Sequence, residues 1–159
     1  MIRVDRAMVR DVGRIYETEY KSQEFAFTTD EIQKYMVTPG KVAWVATIGD
    51  RTCGSLLASE CLEDNVVVVD HVSVIPRFRG LKVSMKMLDK AGDHALSTLK
   101  SGLACLRINV ADYLVEDKED PWNIEHWLWK AGFKALDVVP DEIKRYNRTY
   151  DCYVFERSL

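Results

Sequence analysis

The chain has no Cys-x-x-Cys pair: its four cysteines stand apart at positions 53, 61, 105 and 152. That spacing excludes a zinc ribbon or a dithiol redox motif and reads as reduced thiols in or near a core. The three histidines are equally scattered, so no metal site is expected. No apolar run approaches the length needed to span a membrane, and no signal-peptide core opens the sequence. A cytoplasmic setting is the expectation. An excess of positive charge is also missing. Lys plus Arg is 22 against 25 for Asp plus Glu, a net charge of −3, which argues against nonspecific nucleic-acid binding. No repeat, low-complexity segment or linker breaks the 159 residues, so residues 1–159 read as a single domain. With 47% hydrophobic and 30% charged residues, such a chain buries a core of ordinary size and is not a disordered tail.

What is present is an ordered alternation of elements. Ile2 to Arg6 reads as a strand, and Val12, Ile15, Tyr16 and Glu19 fall at helical spacing within Asp11 to Tyr20. Thr29 suits an N-cap, with Gln33 beyond it, for a short helix through Met36. Lys41 to Ile48, Thr52 to Glu60 and Val66 to Ile75 read as strands joined by short turns, an antiparallel meander with a bulge expected at Gly54. Met85, Leu88, Ala91, Ala95, Leu96 and Leu99 mark a helix over Ser84 to Leu99. Leu103 to Val110 is the fifth strand, and a crossover helix makes it parallel to the fourth. Glu125 to Ala131 reads as a helix closed by Gly132-Phe133, Lys134 to Val139 as a sixth strand, Pro140 to Tyr150 as a polar connection, and Cys152 to Arg157 as the last strand.

The junction between the fourth strand and the long helix carries the chemistry. It runs Asp70-His71-Val72-Ser73-Val74-Ile75-Pro76-Arg77-Phe78-Arg79-Gly80-Leu81-Lys82-Val83. A helix N-terminus presents unpaired amides and a partial positive charge, so it is an anion seat, and Arg77, Arg79 and Lys82 add three cations beside it. A phosphate-bearing ligand is the first functional expectation. Strand alternation puts Val66, Val68, Asp70, Val72 and Val74 on one face and turns His71 to the other. A carboxylate on a mostly apolar strand face needs a partner or a raised pKa.

The segment Val74-x-Pro76-x-Phe78-Arg79-Gly80, followed by a helix with Leu88 in its second turn, resembles the acyl-CoA-binding motif of the GNAT superfamily of N-acyltransferases. Arg79 matches the motif's first residue and Ser84 its last small one; Lys82 stands where the family has its central glycine. The order of elements resembles the family's over nearly the whole chain, down to the closing helix, Gly132-Phe133 and strand. The resemblance implies an α/β (α+β mixed) fold, with a central, mostly antiparallel sheet of about seven strands, helices on both faces, and parallel strands four and five splayed apart. It implies an N-acetyltransferase that moves an acetyl or other acyl group from acetyl-CoA to a primary amine of a small molecule or peptide, with no metal.

In that reading the backbone of Val72, Ser73 and Val74 holds the pantetheine arm. Arg79, Gly80, Leu81, Lys82, Val83 and Ser84 cradle the pyrophosphate, and Asn109 and Asn123 are further cofactor contacts. Asp70 is the expected base, acting directly or through water, with His71 and Glu60 as alternatives. The family's tyrosine acid, four residues before the glycine of Gly-Phe, falls on Leu128, which cannot donate a proton. Tyr113 is the substitute considered. Trp122, Trp127 and Trp129, with the acidic run Glu116 to Asp120 beside them, either pack in the core or wall a pocket for a cationic amine. A GNAT-fold protein that has kept the fold for binding or assembly and lost catalysis is the alternative. A homodimer is compatible with all of this.

Overall fold

The computed structural model describes residues 1–22, 27–80, 82–100, 104–111, 124–145 and 148–159. Two hairpins and one helical insertion lay down the first half. β1 (Ile2–Arg6), β2 (Lys41–Ile48), β3 (Arg51–Cys61) and β4 (Val66–Val74) pair antiparallel in that order. Their β-branched and apolar runs leave β2, β3 and much of β4 buried on both faces. α1 (Val12–Ser22) and α2 (Thr29–Val37) are inserted between β1 and β2. The cap of α2 is Thr28, one residue earlier than the sequence reading placed it. Thr28 Oγ1 accepts from the Glu31 amide while the Glu31 carboxylate accepts from the Thr28 amide. Such a reciprocal pair satisfies two orphan helix donors, which the pairing of Thr29 with Gln33 would not do.

α3 (Val83–Thr98) crosses over from β4 to β5 (Cys105–Ala111), and the β4–β5 pair is parallel. α4 (Ile124–Lys130) leads to β6 (Lys134–Arg145) and β7 (Arg148–Ser158). The strand order is β1-β2-β3-β4-β5-β7-β6, one seven-stranded mixed sheet. The expected polar connection over Pro140 to Tyr150 is instead strand on both sides of 146–147. The register slips between Val139 and Ile143, around Pro140. β6 is the outermost strand, where a residue without an N–H costs no interior ladder bond.

Two cores sandwich the sheet. On one face Val83, Met87, Leu88, Ala91 and Ala95 of α3, with Leu128 and Ala131 of α4 and Phe133, pack on Leu56, Ala58, Val67, Val69 and Leu106. On the other, Ile15 of α1 and Ile32 of α2 pack on Ala43, Val45 and Leu57. Each fully buried Val, Leu, Ile, Met or Phe among them contributes roughly 1.5–3 kcal/mol. No helix among the described residues is long and apolar enough to cross a membrane.

Candidate functional site

β4 changes its face at one residue. Leu57 pairs with His71 and Ala58 with Val69, so Asp70 is the extra residue of a β-bulge. The strict alternation expected from the sequence therefore fails here. Beyond the bulge, Val72 and Val74 pack with Val67 and Val69 on the α3 side, while Asp70, His71 and Ser73 all reach partners on the α1–α2 side or in β3. Asp70 does not share a wall with Val72 and Val74, and His71 does not point away from it.

The bulge also ends the parallel ladder. β4 and β5 pair only from Val66–Cys105 to Val69–Ile108. Past that point β4 continues to Val74 beside β3, and β5 continues through Asn109 to Ala111 beside β7. The two central strands diverge where the bulge presents Asp70 and His71. Val72, Ser73 and Val74 lie along one arm of the divergence and Asn109, exposed, along the other.

Two polar clusters line the α1–α2 side of the bulge. Asp70 Oδ2 accepts from Tyr35 Oη of α2 and Ser59 Oγ of β3, each at 2.5 Å, with Lys41 Nζ 3.9 Å away. Lys41 Nζ in turn donates to Ser59 Oγ at 2.6 Å. Burial, the Asp70 charge and the hydrogen bond to it hold the Tyr35 phenol well above its usual range. Tyr35 is a firm donor to Asp70 and a poor source of a proton for a leaving thiolate. In the second cluster Glu19, fully buried on α1, accepts from Ser73 Oγ at 2.8 Å and faces His71 Nδ1 at 3.2 Å. The His71 ring packs on Phe27, with centroids 4.2 Å apart. Neither Glu19 nor Tyr35 was singled out for chemistry from the sequence. The signal for Glu19 was its place four residues after Ile15, an acid on the apolar stripe of an amphipathic helix.

Glu60 lies apart from both clusters. It pairs in register with Val67 on the α3 side, and its carboxylate sits 3.4 Å from His94 Nε2. The sheet separates it from Asp70 and His71. Tyr113, Asn123, Leu81, Trp122 and the acidic run Glu116 to Asp120 lie outside the described residues. Leu128 is fully buried in the α3–α4 core, and Trp127 Nε1 donates to Ser84 Oγ at the start of α3, while Trp129 is exposed. Burial pushes the thiols of Cys53 and Cys105 up, so neither is an activated nucleophile.

At the helix start, Gly80 (φ 80°) and Lys82 (φ 64°) both take left-handed backbone conformations, and Lys82 caps α3 from there. Where the resembled motif has its central glycine, this chain places a lysine in a backbone conformation that favours glycine. Arg79 is tied down: its Nε donates to Val74 O and Nη2 to Ser22 O, linking the end of β4 to the end of α1. Left-handed backbone costs a side-chain-bearing residue about 1–2 kcal/mol, and the extra unfolded-state freedom of glycine offsets roughly 0.5–1. Lys82→Gly is therefore expected to raise stability by about 0.5–1 kcal/mol in urea titration. Calorimetry of the same variant reads the side chain's role: tighter acetyl-CoA binding marks the lysine as crowding the pyrophosphate, looser binding marks it as a ligand.

No family model and no curated protein matches the sequence. Solved structures do match. The ribosomal-protein-S18-alanine N-acetyltransferase from Escherichia coli superposes with a TM-score of 0.77 at 11% identity, covering 99% of this chain and 93% of that one. NAA60 from Arabidopsis thaliana, in complex with acetyl-CoA, gives 0.75 at 12%, covering 98% and 97%. The spermidine/spermine N-acetyltransferase SpeG from Vibrio cholerae gives 0.69 at 15%, covering 98% and 91%. The seven-stranded mixed sheet with β4 parallel to β5, flanked by helices, is the GNAT α/β fold.

Proposed function

We propose that this protein is an acyl-CoA-dependent N-acyltransferase that transfers an acetyl group from acetyl-CoA to a primary amine. The observation that carries the reading is the divergence of β4 and β5 after four ladder pairs, at a bulge that presents Asp70 and His71 beside it. An extended thiol arm fits between two parting strands, where β4 residues 72–74 offer main-chain groups to it. Gly80 and Lys82, turning left-handed into α3, aim the first amides of that helix at a phosphate, and Lys82 adds a cation. The acetyl-CoA complex of the Arabidopsis neighbour supports the same donor.

Acyl transfer from a thioester needs a deprotonated amine, because an alkylammonium titrates near 10 and has no lone pair to attack with. The bulge supplies groups for that step on the α1–α2 side. Leu128 offers no replacement for the family's tyrosine, so the leaving thiolate takes its proton from another source. The test is calorimetric titration with acetyl-CoA, followed by thiol release against two acceptors: spermidine and a peptide beginning with alanine. Micromolar binding and amine-dependent thiol release are expected. A chain that binds no acyl-CoA is not an acyltransferase.

A further inference from the structure

We infer that Glu19 and His71 form a carboxylate–imidazole pair in which His71 takes the proton from the acceptor amine and Glu19 positions it; the inference rests on the acyltransferase reading. Glu19 is fully buried on α1, the one charged side chain among the helix's buried residues, beside Ile15 and Thr18. A buried carboxylate is costly to keep unless it is paired. It has two partners, the Ser73 hydroxyl at 2.8 Å and His71 Nδ1 at 3.2 Å, and both belong to β4 beyond the bulge. Both partners stand where the parallel ladder has ended.

The arrangement orients the imidazole. A carboxylate facing Nδ1 accepts a hydrogen bond, so in the neutral ring the proton sits on Nδ1 and the lone pair on Nε2. Nε2 makes no hydrogen bond to a described side chain, and the histidine is 15% exposed at the open end of the divergence. Phe27 packs on the ring and fixes its plane. Asp70, its neighbour, is differently placed: the Tyr35 and Ser59 hydroxyls and the Lys41 ammonium all approach Oδ2. Protonating that carboxylate, even at Oδ1, would weaken three charge-assisted contacts, whereas protonating Nε2 disturbs no hydrogen bond to a described side chain.

The step balances without a further reactant. The ammonium gives one proton to Nε2, which passes it to water. The neutral amine then attacks the thioester carbon, forming the C–N bond. The second nitrogen proton goes to Nε2, the C–S bond breaks, and that proton is delivered to the thiolate, leaving an amide and the CoA thiol. Burying the carboxylate strengthens its interaction with the imidazolium formed in between.

Two measurements test the pair. Long-range proton–nitrogen correlation NMR of the imidazoles, in mildly alkaline solution, should find His71 protonated on Nδ1 in the native chain. In Glu19→Gln, which keeps size and fold, that preference should be lost. In kinetics with spermidine or the alanine peptide, His71→Gln should lose about 10²-fold in turnover. Glu19→Gln should lose roughly 10–100-fold, the usual cost of removing the group that orients a functional histidine. Acetyl-CoA affinity should hold in both variants. His71 protonated on Nε2 in the native chain, or either variant turning over at the native rate, overturns the proposal. If the native chain binds no acetyl-CoA, the acyltransferase reading fails first and the catalytic role falls with it, whatever the tautomer.

Discussion

Gly54→Val should destabilise the protein by about 3 kcal/mol, the upper part of the range for overpacking a dense site. A Cβ at position 54 would stand 2.9 Å from the Ser73 carbonyl oxygen, 3.0 Å from Met87 Cε and 3.1 Å from Val83 Cγ1. The methionine end can swing aside, but the Ser73 oxygen belongs to the backbone of β4 and Val83 is the first residue of α3. Relief therefore requires moving the strand, the helix start, or both. Those are the two elements that bound the proposed acyl-CoA site, so the loss should appear twice, as a lower urea midpoint and as weaker acetyl-CoA binding. Gly13→Ala is the control, because nothing lies within 4 Å of its added Cβ. If Gly54→Val matches native stability, α3 does not need its close approach to β3.

The second large effect concerns Asp70. Asp70→Ala leaves the Tyr35 and Ser59 hydroxyls without their acceptor and removes the tie that pins the bulge to α2 and β3. Hydrogen bonds to a charged group contribute roughly 1.5–3 kcal/mol each. Partial exposure of the site discounts the pair, and a total loss of about 3 kcal/mol is expected. Asp70→Asn still offers a carbonyl oxygen to one hydroxyl and should lose about half as much. The kinetic outcome separates two roles for the residue. If His71 is the base, Asp70→Asn turns over within a few-fold of the native chain. If Asp70 is the base, as the sequence suggested, the same variant loses about 10²-fold at neutral pH while acetyl-CoA affinity holds. Running both Asp70→Asn and His71→Gln against one acceptor assigns the proton.

The contrast between those outcomes shows what the sequence could and could not disclose. Strand, turn and helix order was legible because hydrophobic period and turn chemistry are local: Gly49-Asp50, Gly132-Phe133 and the apolar spacing of α3 each announce themselves within a few residues. The bulge was not. The bulge expected at Gly54 occurs at Cys53, its neighbour, and a second, unexpected one at Asp70. Nothing in Val69-Asp70-His71-Val72 marks an extra residue, yet it reverses every face assignment downstream. Glu19 was hidden for a different reason: its helix spacing was visible, but its partners His71 and Ser73 are more than fifty positions away, and only the fold brings them together. The Pro140 segment misled through chemistry that usually ends a strand and is tolerated at a sheet edge. Lys82 reads from the sequence as a lost glycine, yet its backbone takes the left-handed conformation that favours glycine.

The brevity of the β4–β5 ladder also bears on how the chain folds. The hairpins β2–β3, β3–β4 and β6–β7 close between neighbours in sequence, so their nucleation loops are short and fast. The seam between β4 and β5 must instead close across the whole of α3, and its reward is only four register pairs. Two half-sheets thus form early, and their joining is the slow event, with α3 packed over both as the template. Trimming Val154 to Ala in the early β6–β7 hairpin should mainly slow refolding, whereas the effect of trimming Ile108 to Val at the late seam should fall in good part on the unfolding rate. The opening that would admit an acyl donor is, in kinetic terms, the last stretch of sheet to be assembled.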